Sequence, residues 1–77
     1  MSDYGRKWEL HRQRRMNTWK SYRRVGVLMQ VLANKHLDGE LEHAAVIGAE
    51  LELAKRQLLQ CQEDEKRSEE LLNKQDD

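Results

Sequence analysis

The sequence predicts an all-α fold, an antiparallel hairpin of two long helices, and three observations carry that prediction. Proline is absent from all 77 residues, and Leu, Glu, Lys, Arg, Gln and Ala, the strong helix formers, dominate. Two long stretches carry apolar residues at steps of three and four, the period of an amphipathic helix. Between them lies a break, Asn34-Lys35-His36-Leu37-Asp38-Gly39-Glu40, rich in residues that end or begin helices.

The first helix is expected over about residues 3–35. Trp8, Met16, Trp19, Tyr22, Gly26, Met29 and Ala33 form its stripe, widened by Val25, Leu28 and Leu32, and Trp19 is expected in the core. In the break, Asn34 and Gly39 can stop a helix, and the Asp38 carboxylate can cap the next one. The turn is expected over about residues 36–40 and the second helix over about 40–73, with Glu40 and Glu42 at its positive end.

Along the second helix Ile47, Leu51, Ala54, Leu58 and Cys61 step by four and three as in a coiled coil, and Leu37, Leu41 and Ala44 extend the stripe toward the turn. Past Cys61 the seam positions become Glu65 and Ser68 before Leu72 returns, so the acidic tail, Glu63 to Asp77, is expected to pack loosely or fray.

A short connection makes the helices antiparallel neighbours, and a turn near residue 38 sets residue i beside about 75 − i. That register brings Arg23 and Arg24 to Glu50 and Glu52, Arg12 and Arg14 to Glu63 and Asp64, Arg6 and Lys7 to Glu69 and Glu70, and Gly26 to Gly48.

The whole chain, residues 1–77, reads as one domain. A chain this short buries only about 60% of its unfolded surface alone. Apolar residues are 38% and aromatics only Tyr4, Trp8, Trp19 and Tyr22, which suits a thin seam between helices; dimerisation into a four-helix bundle is therefore expected.

Charge divides the chain more sharply than any motif does. Residues 1–36 hold nine basic groups against two acids, and residues 37–77 hold five against twelve, so opposite surpluses of seven cancel in the whole.

The amino end carries charge where a secretory signal needs apolar residues, and the run Val25 to Ala33 falls far short of the roughly 20 residues of a membrane span. With Cys61 as the sole thiol, no intramolecular disulfide can form, and a cytoplasmic protein is expected. His11, His36, His43 and Cys61 show no metal-ligand spacing, and the four glycines form no phosphate-cradling loop. Neither a cofactor nor an enzyme activity is expected.

What remains is the helical surface. Within Arg12-Gln-Arg-Arg-Met-Asn-Thr-Trp-Lys-Ser-Tyr-Arg-Arg, basic and aromatic residues interleave, a pattern that can grip phosphates while the rings stack or pack, and that is also consistent with a membrane-surface helix or a calmodulin-type target. Trp8 sits opposite the polar end of the second helix, without a large apolar neighbour in the seam. Trp8, Arg12, Arg15, Trp19 and Lys20 are the candidate partner-binding residues.

The leading expectation is a small non-enzymatic interaction protein, an adaptor, inhibitor or assembly factor engaging a larger protein. The alternative is a nucleic-acid-binding regulator using the basic first helix. The bland counter-reading is that the basic groups simply neutralise the acidic second helix.

Overall fold

A computed structural model describes residues 3–74 as two helices, α1 (Asp3–Leu37) and α2 (Leu41–Asn73), lying against each other as an antiparallel hairpin. The molecule is a rod of 58 × 14 × 13 Å. The last residues of the expected tail, 75–77, lie outside the described residues.

The turn is built by the end of α1. Gly39 takes φ +75°, a left-handed conformation that glycine adopts without steric penalty. Its N–H donates to the His36 carbonyl at 3.1 Å, and the Glu40 N–H donates to the Lys35 carbonyl at 3.0 Å, the two bonds of a Schellman motif. Asn34 does not stop the helix, which runs on to Leu37. Nor does Asp38 cap α2: the cap position is Glu40, with no side-chain cap bond. The Glu40 carboxylate is instead held across the turn by Lys35 Nζ at 2.7 Å, with His43 Nδ1 at 3.4 Å.

The α2 side of the seam follows the expected frame. Ala44, Leu51, Ala54 and Ser68 are buried, and Ile47, Leu58, Cys61, Glu65 and Leu72 are half-buried between them. Leu37 and Leu41, expected to continue the stripe, are exposed.

On α1 the seam differs from the expected stripe by one residue. Lys7, His11, Arg14, Thr18, Ser21, Val25, Leu28, Leu32 and Lys35 face inward at alternating steps of four and three. Of the expected stripe only Val25, Leu28 and Leu32 belong to it. Trp19 is not a core residue: it is 61% exposed, and Met16, Tyr22 and Met29 are exposed with it.

The open end of the hairpin is closed by hydrogen bonds. Ser68 Oγ donates to the Glu65 carbonyl at 2.8 Å, which leaves a lone pair to accept the Nδ1–H of buried His11, also at 2.8 Å. Arg14 donates to the Asp64 backbone carbonyl at 3.0 Å, and Thr18 Oγ1 shares its one proton between the Arg14 carbonyl of its own helix at 3.0 Å and the Cys61 carbonyl of α2 at 3.1 Å. Along this polar seam α2 continues as helix past Cys61 to Asn73, and Ser68 is 1% exposed, among the least exposed of the described residues.

These bonds set residue i beside about 79 − i, one helical turn from the expected register. The shift separates the glycines: within 4 Å, a Cβ added at Gly26 or at Gly48 would meet nothing. It also sets Arg12 level with Arg67, Arg23 with Arg56 and Arg24 with Lys55. The expected ion pairs between helix flanks accordingly do not form among the described residues, where the pairs are Arg12–Glu9, Lys35–Glu40, His43–Glu40 and Lys55–Glu52.

Candidate interaction face on the first helix

Trp8, Arg12, Arg15 and Trp19 follow one another at steps of four, three and four, one residue beyond the seam positions, so they form a stripe along one flank of α1. All four are exposed, and Tyr22 at 68% and Met29 at 53% continue the stripe toward the turn. Arg12, Arg15 and Trp19 line one shallow open groove together with Met16, Thr18 and Glu65.

Trp19 and Arg23 make a composite surface. The Arg23 guanidinium lies 5.6 Å from the centroid of the Trp19 ring, within cation–π range. The Trp8 ring is tilted 46° to the His11 ring with centroids 6.2 Å apart, and Trp8 is about half exposed.

Lys20 belongs elsewhere. It lines a depression on the opposite flank with Asn17, Ser21, Gln57, Gln60 and Cys61, where Ser21 Oγ lies 3.4 Å from the half-buried thiol. Of the five sequence-derived candidates, four share the aromatic flank and the fifth does not.

Electrostatically the face is open. Arg15, Lys20, Arg23 and Arg24 make no ion pair among the described residues. Arg12 pairs with Glu9 of its own helix at 3.2 Å, with both side chains more than half exposed. Such a pair contributes at most about 1 kcal/mol and exchanges readily for another carboxylate. The basic surplus of α1 is therefore presented to solvent.

The ionisable groups that depart from ordinary behaviour sit at the turn. The hydrogen bond to Glu40, with its charge, raises the Lys35 amine above its usual range. The bonds from Lys35 and then His43 lower the Glu40 carboxyl. Among the described residues no group of three or more His, Cys, Asp or Glu side chains is placed to hold a metal ion, and no helix is long and apolar enough to cross a membrane.

Sequence reasoning omitted Tyr22, Arg23 and Met29 from the face. Tyr22 and Met29 carry the same spacing as Trp8 and Trp19 and were legible from it, and Arg23 follows Trp19 by four residues, one turn along the helix. No family model, no curated protein and no solved structure matches the chain.

Proposed function

We propose that this chain is a non-enzymatic protein–protein interaction module, an adaptor, inhibitor or assembly factor. Its two helices are read as a short antiparallel coiled coil that presents the α1 aromatic flank to a larger protein. One observation carries the reading: Trp8, Trp19, Tyr22 and Met29 stand exposed on one stripe, interleaved with arginines that α2 leaves without ion pairs. Exposed tryptophan beside arginine is the composition of interface hot spots, where truncating a single ring costs about 2 kcal/mol or more. The complementary surface is an amphipathic helix whose apolar residues meet the rings and whose Glu or Asp residues meet Arg12, Arg15 and Arg23.

Nucleic acid suits this arrangement less well, because the basic groups are spread around α1 instead of lining one face. Arg15 lies on the aromatic flank, Lys20 on the other, and Arg14 is engaged in the seam. The test is affinity capture with the wild-type chain, identification of the partner by mass spectrometry, and binding measurements with the purified pair. Trp19→Ala is expected to weaken that binding by roughly 30-fold, the equivalent of about 2 kcal/mol. Submicromolar, salt-sensitive binding of an oligonucleotide, with a log–log salt slope that flattens by up to about two units in Arg15→Ala/Lys20→Ala, replaces this reading with the nucleic-acid one.

A further inference from the structure

The aromatic flank does not end at α1. The groove lined by Arg12, Arg15 and Trp19 includes the seam residues Thr18 and Glu65, and a second depression opens from the same two residues onto Gln62, Lys66 and Glu69 of α2. Together they make one trough beside the seam, with half-buried Thr18 and Glu65 as its floor and one helix along each side.

Positions along the trough follow from the register, in which residue i lies beside about 79 − i. Lys66 stands level with residue 13, between Arg12 and Arg15. Leu59 precedes Lys66 by seven residues on the same side of α2, and stands level with residue 20, between Trp19 and Tyr22. Leu59 is 60% exposed, Trp19 61% and Tyr22 68%, so large side chains from both helices rim the trough at one level. Toward the open end Glu69 stands level with residue 10, beside Trp8. Charge is therefore ordered along the rod. Arg12, Arg15 and Lys66 outnumber Glu65 in the middle, Glu69 follows at the open end, and Arg15, Lys66 and Glu69 make no ion pair among the described residues.

We infer that the partner seats one helix lengthwise in this trough, touching α1 and α2 together as the third helix of a bundle; the inference rests on the partner-binding reading above. Trp8, Arg15 and Tyr22 each follow a seam residue directly, so a helix lying over them comes within packing distance of both helices, about 8–10 Å between axes. Its chemistry follows the same order. Apolar side chains meet Trp19, Tyr22 and Leu59, Glu or Asp meets Arg15 and Lys66, and Lys or Arg meets Glu69. A uniformly acidic helix would set like charge against Glu69.

The test uses a phage-displayed library of helical peptides about four heptads long, selected on the immobilised full chain, with each selected peptide then measured by fluorescence anisotropy. Selected sequences are expected to share the apolar, acidic, basic order. Leu59→Ala and Lys66→Glu should each weaken them at least about fivefold, as Trp19→Ala does, with helicity retained in far-UV circular dichroism because both positions are exposed. Glu69→Lys should weaken them too, and exchanging the peptide's basic residue for Glu should restore binding, a rescue that a folding defect would not give. Peptides that need Trp19 but tolerate Leu59→Ala and Lys66→Glu overturn the trough and leave a partner face on α1 alone. Peptides without the charge order, or a charge exchange without rescue, overturn the stated partner chemistry. A library without binders, or binders indifferent to Trp19→Ala as well, overturns both the trough and the partner face.

Discussion

Replacing Ser68 by alanine tests whether the polar half of the seam holds the hairpin in register. Ser68 is 1% exposed and His11 7% exposed, so the Nδ1–H donated to Ser68 Oγ has no ready access to water once that oxygen is removed. A satisfied neutral hydrogen bond contributes about 1 kcal/mol net, while a buried donor left unpaired costs about 1–3 kcal/mol. Ser68→Ala is therefore expected to destabilise the chain by roughly 1–3 kcal/mol, against the 0.5 kcal/mol or so of an ordinary surface change. For a domain this small that lowers Tm by at least about 4 °C.

The assay is urea unfolding followed by far-UV circular dichroism, with all variants at one protein concentration so that any self-association affects them equally. His11→Leu/Ser68→Ala closes the cycle. Replacing both partners by apolar groups removes the orphaned donor, so the double variant should be more stable than the sum of the single effects predicts, by about 0.5–3 kcal/mol. A Ser68→Ala variant within about 0.5 kcal/mol of the parent, or strict additivity, would refute the argument.

Four other positions give clear expectations. Gly48→Ala and Gly26→Ala should each stabilise by about 0.5–1 kcal/mol in thermal melts, since both glycines lie inside helices and an added Cβ meets nothing within 4 Å. Gly39→Ala should destabilise by about 1 kcal/mol in the same melts, because φ +75° is strained for any residue with a Cβ. Glu40 has a folded-state pKa below its unfolded value of 4.5, so its contribution is full above that pH and is lost as pH falls through the lower folded value. Lys35 is raised above 10.5 by the same pair, so the interaction is also lost as pH rises past that value; Glu40→Gln should remove both dependences from a pH series of melts.

The parts of this fold that were legible in the sequence are those where apolar residues and the seam coincide. On α2, Ala44, Ile47, Leu51, Ala54, Leu58 and Cys61 stand both on the apolar stripe and in the seam. On α1 they part company before Val25, because His11, Arg14, Thr18 and Ser21 make the inward face while Trp8, Trp19 and Tyr22 lie one position further round. Two stripes of identical spacing, offset by one residue, compete for the same periodicity signal, and side-chain size favours the outward one. The frame that extends Val25, Leu28 and Leu32 backwards selects the inward one. The register error has a related origin: a hydrophobic pattern leaves displaced pairings nearly equivalent, and hydrogen bonds between serine, threonine, histidine and backbone carbonyls tell them apart.

That division assigns different tasks to the two halves of the rod. Near the turn, half-buried Val25, Leu28 and Leu32 lie level with Ala54, Leu51 and Ile47, and each buried methylene contributes about 0.8 kcal/mol without demanding a particular orientation. Toward the open end the seam is His11, Arg14, Thr18 and Ser21 against Cys61, Asp64 and Ser68, where each bond contributes little net energy but only in one alignment. The turn half therefore supplies most of the stability and the open half supplies the register. Helices held chiefly by hydrogen bonds at an open end are also the part of a structure that opens at the lowest free energy. Trp8, Arg12, Arg15 and Trp19 lie over this half, so a partner docking on the proposed face would contact the segment of α1 least constrained by apolar packing.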